Sequence, residues 1–450
     1  MPEVDALEMK ARVSEILNRH PAVGLAVGVV RNGRLEFFHG HGLDDIVSKA
    51  PITEDTVFRI ASITKTFTAI AVMQLWEQGT IDLDAPANDY LRAYKLIAAK
   101  TGWRPATVRH LLTHTAGLPE MLRPWGALMP DFGESVKVGH SLPSLAEFYH
   151  GGLRLDAEPG TRFVYGNHGP ATLGQLVEDV SRKPLDIYFR EHIFQRLGMA
   201  DTDLVRSDLV KSRLATAYTL GASGPKAVSE RDMVTAGAAS ICSTPRDMGC
   251  YLAALLGGGA NMHGSILKPA TLAAMFAPHY QPDHRNAGMG LGFFRFDLGG
   301  HLGIEHHGVL PGFNSQIFVA PDDGVGVMAF TNGARDAMLW LPAETAGLLR
   351  QLLDISEPAI RTDIPHHPEV WGDVCGWYRL SAGLSDVRLR GMMGAGVEVF
   401  ARGGRLALRF LTPIPALYQG FLLHPDDEQD PYAFRIDLSE MGTARVVFHL

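Results

Sequence analysis

The chain has 450 residues, enough for two or three domains with a sizeable core. Apolar residues make up 46% and charged residues 20%, a globular balance, and the net charge of −8 is spread without a Lys/Arg cluster, which argues against nucleic acid as a partner. Three cysteines (Cys242, Cys250, Cys375) are too few for a disulfide framework and suit a reducing compartment as inert thiols. The opening MPEVDALEMKARVSEIL is charged and amphipathic, without the apolar core of a signal peptide. No apolar run reaches the roughly 20 residues of a membrane helix, so the expected location is cytoplasmic.

In chain order, residues 4–19 read as a surface helix. AVGLAVGVVRNGRLEFFHGHG then reads as a hairpin, Val23–Val30 and Arg34–His39 around Asn32-Gly33, the dipeptide that best fits a two-residue turn between apolar runs. A nearly all-apolar helix is predicted from about Ser62 to Gln78, ended by Gly79, and a further one near 106–113. ATLGQLVEDVSRK (171–183) and PLDIYFREHIFQRLG (184–198) follow, the second opened by Pro184 and closed by Gly198. RDMGCYLAALL (246–256) is helical, and residues 303–332 read as strand, loop, strand, turn, strand. Strands therefore lie at both ends of a helix-rich stretch, which fits one antiparallel sheet joining the two ends with helices packed on it.

The texture changes near residue 350. DISEPAIRTDIPHHPEV (354–370) is rich in Pro and His and reads as a linker. After it, CGWYRL, DVRLRG, VEVFARG, RLALRFL, ALYQG, FLLHP, YAFRIDL and ARVVFHL recur at short intervals with turn residues between. That spacing suggests a small antiparallel barrel or sandwich. The predicted division is 1–350, a linker over 351–370, and a barrel-like domain over 371–450.

Ser-x-x-Lys occurs at Ser62/Lys65, Ser223/Lys226 and Ser265/Lys268. Ser223 lies in a Gly/Ala/Pro loop, and Pro269 follows the third pair. Only Ser62 opens a long apolar helix, where a three-residue step puts both side chains on one face, about 5–6 Å apart at Cβ. Such a helix is expected to be buried, and Lys65 with it. Burial disfavours an ammonium, and a serine hydroxyl needs a neighbouring base to become a nucleophile. The helix start offers N–H groups to an oxyanion. The plain alternative is that Ser62 is an N-cap.

Two other segments bear on that choice. In PGTRFVYGNHGPATLGQL, Tyr165 and Asn167 sit in a glycine-flanked turn before a helix. The tyrosine is a candidate base if cations depress its pKa, and the asparagine can hold a lysine or a substrate amide. An ordinary turn explains the same composition. In GIEHHGVLPGFNSQIFV, a strand carries His306, His307 and Gly308. Gly308 would let an acyl group approach the backbone, and the Val309 N–H could join the Ser62 N–H as an oxyanion donor. A loop with two surface histidines is the plain alternative.

Ser62-Ile63-Thr64-Lys65, Tyr165-Gly166-Asn167 and His306-His307-Gly308, in that order, resemble the SxxK, YxN and K/H-T-G motifs of the class C β-lactamase and penicillin-binding-protein-like serine hydrolases. TVFRIASITK, VRHLLTHTAGLP, AGAASICSTPRDM and HGVLPGFNS look like the same family, and the resemblance covers about residues 10–345. It implies an α/β fold in which an antiparallel sheet is flanked by helices, with an all-helical subdomain. It implies a Ser62 acyl-enzyme, proton transfer shared by Lys65 and Tyr165, and neither metal nor organic cofactor. The third motif departs from β-lactamases, which usually place Lys first and Thr or Ser second. His306 and His307 weaken the case for β-lactams and look more like the esterases, D-amino-acid amidases and D-peptidases of the family. The C-terminal segment resembles, by pattern, the lipocalin-like appendage of some such peptidases.

Other features weigh less. His110 and His114 are four apart but lack the glutamate of HExxH. HGHG (39–42) and His366-His367 could bind metal but fit turns better, and Asp201/Asp203 and Asp322/Asp323 read as solvated turns. Segments 120–136, with Trp125, and 281–296 are either walls of a substrate cleft or plain connectors. The expected function is hydrolysis of an ester or amide in a small molecule or short peptide, with Asn167, His306, His307, Gly308 and Val309 binding substrate. A weak β-lactamase and a non-catalytic peptide-binding scaffold are the rivals. A cell-wall transpeptidase is disfavoured by the missing export signal. Homo-oligomerisation is left open.

Overall fold

The computed structural model describes residues 4–123, 125–356, 359–379, 394–412, 414–438 and 442–449. Its elements follow the sequence closely where the apolar period is strong. Helix α1 (Ala6–Arg19) is capped by Asp5, whose side chain accepts from the Leu7 and Glu8 N–H groups. Strands β1 (Gly24–Arg31) and β2 (Arg34–Asp45) form the predicted hairpin, with both Asn32 and Gly33 at positive φ as the turn requires. Strand β3 is Ala50–Pro51. Then come α2 (Thr64–Glu77), α3 (His168–Ser181) and α4 (Pro245–Leu256). The chain returns through β4 (Phe294–Leu298), β5 (His301–Leu310), β6 (Phe313–Ala320) and β7 (Val325–Thr331), and α5 (Ala337–Leu352) follows.

The strands form one seven-stranded antiparallel sheet in the order β4-β5-β6-β7-β1-β2-β3. The two chain ends of the domain meet where β1 pairs with β7, Leu25 opposite Thr331. Strand β1 is buried along its whole length because helices cover both sheet faces. Leu25, Val27 and Val29 pack with Met9, Val13 and Trp340 from α1 and α5. Ala26 and Val30 face the other way, into the larger core that holds Phe67, Ile70 and Met73 of α2 and Tyr251 of α4. Each such fully buried side chain contributes about 1.5–3 kcal/mol.

The predicted helix over 184–198 is interrupted. Leu185–Phe189 and Gln195–Leu197 are α-helical, with a π turn over Arg190–Phe194 between them, and Gly198 ends the run at positive φ. The helix near 106–113 is one short piece, Val108–Leu112.

By its contacts the chain forms two compact units, one of residues 1–282 and 287–355, the other of 283–286 and 356–450. The second holds a four-stranded sheet (Gly376–Tyr378, Val397–Arg402, Arg405–Phe410, Phe421–Leu422) and a three-stranded one (His424–Pro425, Ala433–Asp437, Thr443–Val447). Val399, Leu408, Phe434 and Ile436 share one core between them. Among the described residues no ladder closes these sheets into the expected barrel. The ALYQG run is not a strand. Residues Pro415–Tyr418 make one helical turn, with Pro415 at its first position, where a missing N–H costs nothing. DVRLRG lies outside the described residues. Among those residues, no helix is long and apolar enough to cross a membrane.

Candidate active site

Ser62 lies in a 3₁₀ turn, Ala61–Ile63, that leads into α2. Ala61 holds φ at 49°, a costly conformation for a residue with a Cβ. No side chain caps this helix start, so Ser62 is not an N-cap. Its hydroxyl lies 2.9 Å from Lys65 Nζ. The tight turn and the first helical turn bring the two side chains together.

Lys65 is 2% exposed, because every residue of α2 from Thr64 to Leu75 is buried. Its Nζ donates to Asn167 Oδ1 at 2.8 Å and to the Ala238 carbonyl at 3.1 Å. Those two oxygens can only accept. Ser62 Oγ can donate as well, so a neutral Lys65 would turn its lone pair toward the Ser62 proton. Lys65 Nζ also sits 5.1 Å from the centre of the Tyr165 ring.

Asn167 occupies the N-cap position of α3, yet its side chain caps nothing. It is held instead between Lys65 and Glu134, donating through Nδ2 to Glu134 Oε2 at 2.9 Å. Thr235 Oγ1 donates to the same oxygen at 3.0 Å. His168 Nε2 is 3.6 Å from Oε1, and the His168 Nδ1 meets Tyr149 OH at 3.1 Å. Burial pushes the His168 pKa down to about 4, so this ring is neutral near pH 7.

Burial also pushes the Glu134 carboxyl up to about 7, against the hydrogen bonds of Asn167 and Thr235 and the charge of Lys65. An unfolded glutamate ionises near 4.5. The folded state therefore binds the proton more tightly, and stability falls as pH rises from the unfolded value to the folded one, by about 3 kcal/mol in all. Glu134→Gln is expected to melt above wild type at pH 8 and level with it at pH 4, as calorimetry would show. An equal gap at both pH values would mean that the carboxyl does not titrate in this range.

On its other side, the Ser62 turn is passed by β5. A Cβ at Gly308 would lie 2.3 Å from the Ile60 carbonyl, 2.4 Å from Ser315 Oγ and 3.0 Å from Ala61 Cβ. The space spared by Gly308 is thus filled by the Ser62 turn, and Ser315 Oγ pins that turn by donating to the Ile60 carbonyl at 2.8 Å. Pro311-Gly312 joins β5 to β6 as a two-residue turn, with Leu310 opposite Phe313. Alternation along the ladder then turns the Val309 N–H away from β6. Strand β4 ends its pairing at Glu305, short of Val309.

His306 is fully buried, and its Nδ1 contacts the His307 carbonyl at 2.7 Å. Burial, with His307, Lys65 and His114 nearby, drives its pKa well below the usual imidazole value, so it is neutral at physiological pH. His307 is half-buried and lies 6.2 Å from the Tyr165 ring and 5.9 Å from Phe294, centre to centre. Phe294 also meets Tyr165 at 5.6 Å, and His114 packs on Tyr165 at 4.7 Å. The His114 pKa is pushed down to about 3 by burial and by Lys65.

Ser62, Lys65, Tyr165, Asn167, His306, His307 and Gly308 thus come together in one cluster. Several neighbours carry no motif of their own. Glu134 and Phe294 lie in the two segments read as cleft wall or connector. The 120–136 segment divides: Trp125 and Leu128 are exposed, while Glu134 is buried against Asn167. His110 and His114 do not share a helix face. Thr107 caps the helix by accepting from the His110 N–H while His110 Nδ1 accepts from the Thr107 N–H, and His114 lies past the helix end at φ 55°.

A family model described as "Beta-lactamase" matches residues 9–350. The chain is 31% identical over 282 residues to esterase EstB of Burkholderia gladioli, covering 58% of this chain and 68% of that one. It is 26% identical over 341 residues to penicillin-binding protein 4 of Amycolatopsis lactamdurans, covering 73% and 86%. Among solved structures, an octameric penicillin-binding protein homologue from Pyrococcus abyssi superposes with a TM-score of 0.64 at 22% identity, over 98% of this chain and 95% of that one. EstCE1, a hydrolase with promiscuous acyltransferase activity, gives 0.59 at 24%, over 74% and 94%. At these identities the structural matches speak to the fold, while the family model spans most of the chain and all three motifs: the chain belongs to the beta-lactamase family.

Proposed function

We propose that this protein is a serine hydrolase that cleaves a carboxylic ester, or the amide of a D-amino acid or short peptide, through a Ser62 acyl-enzyme. The observation that carries the reading is the 2.9 Å contact between Lys65 Nζ and Ser62 Oγ, with Nζ held from behind by two acceptor-only oxygens. Lys65, aided by Tyr165, takes the hydroxyl proton as Oγ attacks the carbonyl carbon. The N–H groups of Ser62 and Val309 receive the oxyanion. Collapse expels the alcohol or amine, which leaves with that proton. Water then attacks the acyl carbon as it gives a proton to the base; the bond from that carbon to Oγ breaks, the acid departs, and Oγ takes the proton from the base. Asn167 orients Lys65, and His306, His307 and Gly308 shape the acyl side.

Buried, neutral His306 disfavours the rival β-lactamase reading, since it offers no cation to a β-lactam carboxylate. A non-catalytic scaffold would have no use for a buried lysine aimed at a serine. The reading extends to a cytoplasmic location, consistent with three free cysteines, and to a homo-oligomer, as in the octameric archaeal homologue.

The test is intact-protein mass after brief mixing with a fluorophosphonate and, separately, with penicillin G. One fluorophosphonate adduct and no penicillin adduct are expected. Absence of any adduct on folded protein would overturn the hydrolase reading, and rapid penicillin acylation would restore the β-lactamase one.

A further inference from the structure

Glu134 is an expensive residue to keep. It is 2% exposed, and its ionised form is disfavoured by burial. A neutral glutamine has nearly the same shape and could accept the same hydrogen bonds through its one oxygen. The charge must therefore be sought in what it does.

The geometry gives it a target. Lys65 Nζ, Asn167 Oδ1, Asn167 Nδ2 and Glu134 Oε2 form one chain of hydrogen bonds, 2.8 Å and 2.9 Å long on the two sides of the amide. An amide flips without steric cost, so its orientation is set by its partners. Glu134 Oε2, already accepting from Thr235, demands the nitrogen, which leaves the oxygen for Lys65. The groups facing the carboxylate are Lys65 from α2, His168 from α3 with Tyr149 behind it, and Asp131 on its own loop. Asp131 is engaged by Ser135 Oγ at 2.6 Å and by Arg231 at 3.6 Å. His168 is neutral, so Lys65 is the cation facing Glu134 among the described residues.

We propose that Glu134 is a positioning residue of the acyl-transfer site: through the Asn167 amide it aims an acceptor at Lys65, and its charge sets the pH at which Ser62 becomes reactive. The inference rests on the proposed role of Ser62. A carboxylate this close favours the protonated form of a neighbouring base, whether that base is Lys65 or Tyr165. Removing the charge while keeping the shape therefore moves the acid limb of Ser62 reactivity to lower pH, by about two units for charges about 6 Å apart at an effective dielectric near 20.

The measurement is the rate constant for fluorophosphonate modification of Ser62 against pH, read by intact mass. It is made for wild type, Glu134→Gln, Glu134→Asp and Glu134→Leu. Glu134→Gln is expected to shift the limb down by about two units, up to roughly a hundredfold faster reaction on the limb itself, with little change at its plateau. Glu134→Asp, which keeps the charge, should return the limb toward wild type. Glu134→Leu, which frees the amide to turn, should lower the plateau. A limb at the same pH in wild type and Glu134→Gln, or an aspartate variant that behaves as the glutamine one, would overturn the proposal. Failure of wild-type Ser62 to react at all would sink the hydrolase reading instead, so the two failures are told apart.

Discussion

Replacing Ser62 by alanine is expected to abolish the fluorophosphonate adduct and to lower ester turnover by roughly 10⁴-fold or more, with the melting temperature unchanged or raised. The hydroxyl is half-buried and caps no helix, so its loss leaves no backbone group unsatisfied. It does remove one hydrogen bond from Lys65 Nζ, which keeps those to Asn167 and Ala238. The turn itself is held by backbone and by Ser315, not by Ser62. Activity and stability should therefore separate. A Ser62→Ala protein that still turns over ester at the wild-type rate would show that the nucleophile lies elsewhere, and one that loses activity only by unfolding would leave Ser62 a structural residue.

Gly308→Ala should damage both quantities. The added carbon has no room: the Ile60 carbonyl, Ser315 Oγ and Ala61 Cβ already occupy its place. Two of those three are parts of the backbone turn that carries Ser62, so they cannot swing aside as a flexible side chain would. Strand β5 or the turn must move by up to an ångström. Overpacking of this kind costs about 2 kcal/mol, and a displacement of that size at a reacting centre costs about 10²-fold in rate. Calorimetry reads the first and the fluorophosphonate rate the second. A variant with wild-type values of both would mean that the turn does not lean on β5, and the proposed oxyanion pair, Ser62 N–H and Val309 N–H, would lose its rigid frame.

Both predictions concern a site assembled at cost. Ala61 sits at positive φ, Lys65 is buried, and burial disfavours the ionised form of Glu134 relative to an exposed carboxylate. Such local violations accumulate where a fold gives up stability for chemistry. The Glu134→Gln variant tests this directly, since the same substitution is expected to stabilise the folded state at pH 8 and to move the acid limb of reactivity.

Much of this protein was legible in its residues alone. The Asn32-Gly33 hairpin, the all-apolar helix after Ser62, and strands at both ends of a helical stretch are short-range patterns with fixed periods, and the sheet pairs the two ends as that order implies. The spacing of Ser62 and Lys65 was also local, one helical step. What local pattern could not carry was whatever depends on partners far along the chain. Asn167 reaches Lys65 across 102 residues and Glu134 across 33, and nothing around Glu134 distinguishes it from a surface acid until its loop is folded inward. The π turn at Arg190–Phe194 and the helical ALYQG turn likewise broke runs whose local pattern was sound. Sequence by itself determined the strongly periodic elements, the pairing of the sheet's two end segments and the Ser62-Lys65 pair, because backbone hydrogen bonding and apolar burial repeat at short periods. Only the tertiary structure decided which polar groups are buried together, because that is set by which distant elements exclude water from the same place.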